Sequence, residues 1–511
     1  MVEIEGAKAA AACLARGQST CVFFRLVADT LTPVGAALRL LTPSRGDFLL
    51  ESVEGGEARG RYSLLGLDPD LVFTAKGAKA EVNRVWQTDR DKFAAIEQEP
   101  LVALEALRQE CCFAVPAPLP PALATLVGYF GFEVVALIEK LHAPPTDPLS
   151  LPDILFVRPS VLLVFDHLKD DAFGVAPIWT SDALQPDRVK VELEQACQRL
   201  RSLQGAVHHQ QLTTYSSADR GSQASARPLE ITVATSHNHY SSMVHEAHHY
   251  IAAGDIFQVV LAQRFTAPFD LPAIALYRAL RRINPSPFLY LLDLPGFSIV
   301  GSSPEILVRV RQGQVTIRPI AGTRPRGSGP DADTVMEAEL LADPKERAEH
   351  LMLLDLGRND VGRVAKAGSV EVATSFAIER YSHVMHMVSE VRGKLAAGLG
   401  PLDAILAGFP AGTVSGAPKV RACQIVTELE KEARGPYAGA VGYFSPDGSV
   451  DSCIVLRTAV LKDGQMHVTA GAGIVADSDP EAEQRECEAK AKALFAAADE
   501  ALRLAACEQV S

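Results

Sequence analysis

The chain lacks a basic surplus, paired cysteines and any long apolar run, and each lack removes a class of function. Lysine and arginine number 49 against 62 aspartates and glutamates, a formal charge of −13. With no cationic excess to displace counterions, nothing supports a nucleic acid or a membrane surface as partner, although small anions can still be bound locally. The nine cysteines (Cys13, Cys21, Cys111, Cys112, Cys197, Cys423, Cys453, Cys487 and Cys507) contain no CxxC pair and no regular spacing. They read as reduced thiols of a cytoplasmic protein rather than as a disulfide framework or a zinc ribbon. Glu3 and Glu5 stand where a secretory leader places positive charge, and no apolar segment approaches bilayer-spanning length.

What is present is an ordinary globular composition, 48% hydrophobic and 22% charged over 511 residues, enough for a large core with a deep pocket. Residues 20 to 85 alternate short apolar runs with Gly, Pro and Asp, the pattern of antiparallel hairpins. Two Pro-rich patches, VPAPLPPA and HAPPTDPLSLP, read as connections bracketing LATLVGYFGFEVVALIEKL, because proline fixes φ and removes a donor. ILFVRPSVLLVF (154 to 165) reads as buried strand interrupted by a turn, and 186 to 204 as helix. The polar stretch 206 to 230 reads as a linker between an N-terminal region, 1 to 205, and a second region, 231 to 511. VGYF at 127 to 130 returns at 441 to 444, a faint echo that suggests related strands in two sheets. Strands follow one another through short turns rather than alternating with helices, so the expected class is α+β, with large antiparallel β-sheets and helices packed outside.

Three motifs invite functional readings. HEAHH (245 to 249) fits the HExxH zinc pattern of metallopeptidases. Its helix, however, carries an apolar stripe of Tyr240, Val244, Ala247 and Ile251 with the histidines largely opposite, which is how a solvated histidine-rich face looks. GAGIVA (471 to 476) fits the dinucleotide fingerprint GxGxxA, but the following helix opens only at Asp479 and too little chain remains for a βαβ unit. GTVSG (412 to 416) misses both the Walker and the nucleophile-elbow spacing.

Two further stretches belong together. LLADPKERAEHLMLLDLGRND and GIVADSDPEAEQRECEAKAKALF each open a helix with Asp-Pro, proline being tolerated at the first helical position. Glu346 and Glu349 then share one helical face, as do Glu483 and Glu486, with Lys490 a turn further on. Acidic first turns are common on surface helices. If the two faces converge, the four carboxylates suit a hard divalent ion that keeps waters, Mg²⁺ rather than Zn²⁺.

NPSPF, GSSPE, PIAGTRPRG, DPKERAEHLMLLDLGRND, ERYSHVMHMVS, FPAGTVSGAPKVRA, DSCIVLRT and AGAGIVADSDP occur in this order. Together they resemble the blocks of chorismate-utilising enzymes, specifically the component I family of anthranilate synthases. The likeness is dense over 235 to 500, with FLLES and RYSLLG as thinner support. It implies a sandwich-like core and a site for chorismate, a small dianion. In that reading Mg²⁺ is held by Glu349 and Glu486, with Glu346 and Glu483 helping through water. Arg457, Lys490, Thr413, Thr323, Tyr437, Gly471 and Gly473 bind substrate. Glu305 is the acid for departure of the C4 hydroxyl, and His386 moves the proton in the later pyruvate elimination. Read without the resemblance, Arg457 is a surface strand residue, Thr413 and the glycines are turn geometry, and His386 fits a satisfied core histidine.

Within the family, isochorismate- and salicylate-forming enzymes activate water with a lysine where this chain has Gln258. Aminodeoxychorismate synthases commonly carry a lysine in PIKGT, where this chain has Ala321. The resemblance therefore implies ammonia as nucleophile and anthranilate as product, in tryptophan biosynthesis. Alternatives are an enzyme that stops at aminodeoxyisochorismate, an aminodeoxychorismate synthase or, from another class, a zinc metallopeptidase on HEAHH. No cysteine here has the GxCxGxQ neighbours of a glutaminase, so a separate glutamine amidotransferase subunit is implied as the ammonia source, in a heterotetramer. Feedback by L-tryptophan is implied at Leu50 and Ser52 together with Pro287, Phe288 and Leu289; Phe288 and Leu289 stand where tyrosine and methionine are common.

Overall fold

A computed structural model describes residues 2–54, 58–141, 146–208, 229–327, 329–380 and 384–507. Twenty-two strands join in one antiparallel network, with helices on its outer faces. This is the expected α+β class. Most of the 206 to 230 stretch read as a linker lies outside the described residues, and the helix before it runs on to His208. Strands from either side of that stretch pair with one another: Asp47–Glu51 lies beside Phe288–Leu294, with Glu51 opposite Leu289.

The strand Ile154–Asp166 shows how the core is layered. It is buried along its whole length, so successive side chains must enter two different apolar environments. Leu155, Val157, Leu162 and Val164 face an inner layer with Tyr290, Leu292, Ile299 and Val460, the sandwich core between two parts of the network. Ile154, Phe156, Val161, Leu163 and Phe165 face the opposite layer, which includes Ala196, Leu200 and Leu203 of the helix Pro186–His208. The switch from even to odd numbers on one face is a bulge: Pro69 opposes Pro159, while Leu71 opposes Arg158. The turn expected at Arg158-Pro159-Ser160 is therefore corrected to a continuous strand. A paired bulge uses a proline as readily as a turn does.

The VGYF echo also resolves differently from expectation. The two copies are neighbours in one network, Leu126–Phe130 against Ala440–Phe444, with Gly128 opposite Gly442. Neither glycine can carry a side chain. A Cβ on Gly128 would lie 1.9 Å from the Leu155 carbonyl oxygen, and one on Gly442 2.6 Å from that of Asp451. Backbone crossing this closely stitches the N-terminal strands to the C-terminal ones.

The helix His237–Ala252 buries Tyr240, Val244 and Ala247 and exposes His245, Glu246 and His249. His245 Nδ1 is engaged by the Ser241 carbonyl at 2.7 Å. The eight described cysteines are free thiols. No described helix is long and apolar enough to cross a membrane.

Overpacking a core costs about 1–3 kcal/mol, and more where the clash is with backbone that cannot rotate away. Gly128→Ala is therefore expected to lower the urea midpoint sharply, whereas Gly205→Ala, at a helical glycine with open space around it, is expected not to lower it. Equal midpoints for Gly128→Ala and the parent would contradict the close crossing.

Candidate active site

Two helices aim their first turns at one cavity. Asp343 caps the helix Pro344–Val364, accepting from the Lys345 and Glu346 N–H groups at 2.9 and 3.2 Å. Asp479 accepts from Ala482 N–H at 2.9 Å at the start of Pro480–Cys507. The caps fix the helical phase, so Glu346 and Glu349 on one helix and Glu483 and Glu486 on the other line the same cavity of about 1070 Å³. Burial, and then the neighbouring Glu346 and Glu486 carboxylates, push the Glu349 carboxyl above its ordinary range. Glu483 is raised by burial and by Glu486, against a hydrogen bond from Ser478. Like charges are held close here in part shelter from water.

Cations of the chain answer this charge. Arg324, which the sequence reading passed over, pairs with Glu346 at 3.0 Å and Asp343 at 2.7 Å. Lys490 pairs with Glu486 at 2.7 Å and also donates to the Gly471 carbonyl at 2.8 Å. Among the described residues no three His, Cys, Asp or Glu side chains are gathered into a ready metal cage. The donor set is nonetheless all oxygen around a roomy cavity. That fits an ion such as Mg²⁺, which keeps several waters and takes further ligands from an anionic substrate.

The opposite wall is built from strand ends and a tight loop. Glu305, Thr413, Tyr437, Arg457, Gly471 and Gly473 line the same cavity, as does Gln258. Glu305 follows the strand Phe297–Ser303 and is 7% exposed. Thr413 Oγ1 donates to its carboxyl, 3.2 Å from each oxygen. Burial outweighs that bond and lifts the Glu305 carboxyl to about 8, so it holds its proton at neutral pH. Arg457 sits at φ 47°, a left-handed conformation that costs a non-glycine residue roughly 1–3 kcal/mol. The Ser302 N–H donating to its carbonyl at 3.1 Å helps to hold it. At Gly471 a Cβ would meet the Tyr437 hydroxyl at 2.8 Å, and at Gly473 the Gln258 side chain at 2.5 Å. Both glycines are thus places where the cavity wall must stay thin.

Beneath the wall lies a buried pair absent from the sequence reading. Arg434 donates to Glu430 at 2.8 Å, to the Val414 carbonyl at 2.8 Å and to that of Val260 at 2.7 Å. Its guanidinium stacks 5.6 Å from the Tyr437 ring centre. It ties the Thr413 loop to the strand Gln258–Pro268. Its i,i+4 spacing from Glu430 was the available signal, but charge pairs at that spacing usually mark an exposed helix face.

Thr323 and His386 are brought together but not onto the cavity wall. Thr323 Oγ1 lies 3.0 Å from His386 Nδ1 and the Gly322 carbonyl 3.3 Å. An Nδ1–H donated to that carbonyl leaves the lone pair on Nε2. Burial first, and the Arg457 charge as well, hold the imidazole below its ordinary pKa. His386 is on the open face of the strand Val384–Lys394, while Met385 and Met387 fill the core behind it. Tyr381, Ser382 and His383 of the same block lie outside the described residues. Elsewhere, strand pairing sets Leu50 opposite Tyr290 and Glu51 opposite Leu289; Leu50 and Phe288 pack against one core layer, whereas Leu289 is buried in the opposite layer and turns away from the other residues implied for L-tryptophan. Glu51, between Leu50 and Ser52, accepts from the Tyr277 hydroxyl at 2.7 Å and from Arg281 at 2.8 Å.

One cavity thus joins an acidic wall of oxygen donors to a wall with a protonated carboxyl, an arginine and two glycines that admit no side chain. The chain belongs to the family of chorismate binding enzymes, whose model matches residues 47–496. Within it, anthranilate synthase component 1 of Cereibacter sphaeroides is 50% identical over 486 residues, covering 95% of both chains. The Pseudomonas aeruginosa protein of that name is 43% identical over 476 residues, covering 93% of this chain and 94% of its own. Anthranilate synthase component I from Streptococcus pneumoniae superposes with a TM-score of 0.71 at 33% identity, over 92% of this chain and 98% of that one.

A carboxyl raised from 4.5 to about 8 makes folding less favourable as pH rises through that window, because the unfolded chain ionises where the folded one resists. Below pH 4.5 both states are protonated and the penalty vanishes. Glu305→Gln is therefore expected to gain stability relative to the parent between pH 5 and 8, read as a growing difference in urea midpoint. A difference that does not change with pH would refute the protonated Glu305.

Proposed function

We propose that this chain is the synthase component of an anthranilate synthase, turning chorismate and ammonia into anthranilate and pyruvate. The observation that carries the reading is the single cavity that joins the four carboxylates to Glu305, Thr413, Arg457 and Lys490. Relatives carrying the anthranilate synthase component 1 name at up to 50% identity support it.

Magnesium held by Glu349 and Glu486, with Glu346 and Glu483 acting through water, would supply positive charge against the ring carboxylate of chorismate. The chain's own groups do the rest. Arg457, Lys490, Thr413, Tyr437 and the backbone at Gly471 and Gly473, which line the cavity, receive the remaining oxygens and orient the ring, and Thr323, off the wall beside His386, joins them only with that histidine. Glu305, protonated at neutral pH, donates to the C4 oxygen, which leaves as water while ammonia adds at C2 and sheds one proton. His386 Nε2 then takes the C2 proton, the bond from the ring to the enolpyruvyl oxygen breaks as the ring becomes aromatic, and the departing enolate takes up a proton at its methylene carbon to become pyruvate. Since His386 does not line the cavity, this second step requires its strand to close on the cavity once substrate is bound.

A glutamine amidotransferase subunit, component II, supplies the ammonia in a cytoplasmic heterotetramer, consistent with the missing glutaminase motif. L-Tryptophan binds as inhibitor where Leu50 and Ser52 meet Pro287 and Phe288.

The purified chain with chorismate, Mg²⁺ and ammonium salt at alkaline pH is expected to form fluorescent anthranilate. Glu349→Gln is expected to lose Mg²⁺-dependent turnover. His386→Ala is expected to lower anthranilate formation by about 10²- to 10⁴-fold while aminodeoxyisochorismate accumulates, as for loss of a general base. Pyruvate and anthranilate at the parental rate from His386→Ala would remove it from the elimination. A parent that accumulates the aminated intermediate without fluorescence would point to the enzyme that stops there.

A further inference from the structure

The helix that presents Glu346 and Glu349 is held by a contact on another of its faces. Arg347 and His350 follow those two glutamates by one position each, about 100° further around the helix. Both meet Phe376 of the strand Glu371–Arg380: the Arg347 guanidinium lies 4.8 Å from its ring centre, and the His350 imidazole stands against it edge-on at 5.0 Å. Phe376 belongs to a bulge. Thr374 opposes Glu390 and Ala377 opposes Val388, so Ser375 and Phe376 share the single partner Ser389, and Phe376 takes a left-handed φ of 55°.

The bulge leaves the Phe376 N–H outside the ladder, and the Ser389 hydroxyl oxygen accepts it at 3.0 Å. The one proton of that hydroxyl is then donated to His350 Nε2, 2.7 Å away. His350 and Ser389 are both fully buried, and burial lowers the imidazole to about 4, so it is neutral. With Nε2 accepting, the ring proton sits on Nδ1, which has no hydrogen-bond partner among the described residues. A buried N–H without an acceptor costs stability that an apolar pair of the same volume would not. The polar pair supplies direction, which an apolar contact does not. One bond fixes both the rotation of the helix Pro344–Val364 and the register of the strand Val384–Lys394.

Ser389 and His386 stand three apart on that strand, hence on opposite faces. Ser389 grips it from the side of the helix, and His386 faces the other way. We propose that His350 and Ser389 are positioning residues, whose bond makes the strand bearing His386 and the helix bearing Glu346 and Glu349 move as one unit. The inference rests on the anthranilate synthase reading, in which His386, off the cavity wall, must be brought to the substrate. The helix start lines the cavity, so a shift of it toward the bound dianion carries the strand along. Neither His350 nor Ser389 lines the cavity itself.

Ser389→Ala removes the hydroxyl, His350→Leu removes the acceptor, and His350→Gln keeps an acceptor oxygen near the place of Nε2. All three are expected to lower the urea midpoint, so stability does not tell a positioning role from a structural one. The partition of products does, because it is independent of how much of the chain is folded. With chorismate, Mg²⁺ and ammonium salt, the fraction of consumed chorismate recovered as anthranilate is expected to fall by at least about tenfold in Ser389→Ala and in His350→Leu, and to return towards the parental value in His350→Gln. Aminodeoxyisochorismate accumulates in its place. Amide hydrogen exchange, with Mg²⁺ and chorismate but no ammonia, is the second readout. In the parent these ligands are expected to slow exchange at 344 to 350 and along Val384–Lys394 together, and in Ser389→Ala and His350→Leu at 344 to 350 alone. A parental partition in both variants, ligand protection of Val384–Lys394 that persists in both, or a parent strand that the ligands do not protect overturns the proposal. Ser389→Ala decides alone should the buried leucine prevent folding. A parent that makes no anthranilate from ammonium salt overturns the functional reading itself, which is a different failure.

Discussion

Like charge crowded into a sheltered space is the constraint around which this molecule is arranged. Glu346 and Glu349 reach the cavity from one helix and Glu483 and Glu486 from another, and burial first, with repulsion from neighbouring carboxylates added to it, raises the Glu349 and Glu483 carboxyls. Such a cluster is costly unless positive charge is brought to it. Arg324 and Lys490 supply part of that charge. The all-oxygen donor set leaves room for a hydrated divalent ion and the carboxylate of a substrate. The sandwich serves this end, since its strands hold two helix starts that are far apart in sequence on either side of one opening.

The far wall answers a different need. Burial against Thr413 keeps the Glu305 carboxyl protonated at neutral pH, as the proposed departure of a hydroxyl from a dianionic substrate would need. The same burial weakens the fold at alkaline pH, a trade of stability for chemistry. Arg457 in a left-handed conformation is a second instance of strain placed at the site. Arg434, buried beneath, carries no chemistry but fixes the distance between the Thr413 loop and the strand beside Gly473.

Much of this was legible from residues alone. Asp-Pro followed by glutamates three apart gives both helix starts and the face their carboxylates share, because cap and period are local properties. Alternating apolar runs gave the antiparallel class. What was not legible depended on contacts between distant segments. The RPS stretch reads as a turn until its bulge partner at Pro69 is known. The two VGYF copies read as members of separate sheets until Gly128 is seen against Gly442. The Arg434–Glu430 pair looks like surface charge until the strands that bury it are in place, and Arg324 until the helix start carrying Asp343 and Glu346 lies beside it. The ordered blocks implied Thr323 and His386 as site residues, yet the pair lies together off the cavity wall, a placement that depends on strand pairing no residue pattern encodes.

The central claim is that the acidic cavity takes a divalent cation and the substrate dianion as one unit. Two ligands that share a site in this way must each raise the other's affinity by the same factor. The direct measurement is a calorimetric titration of Mg²⁺ into the chain, with and without saturating chorismate and with no ammonia present. The account requires Mg²⁺ to bind more tightly when chorismate is present and chorismate to bind more tightly, by an equal factor, when Mg²⁺ is present. Identical Mg²⁺ affinities in the two titrations would contradict it.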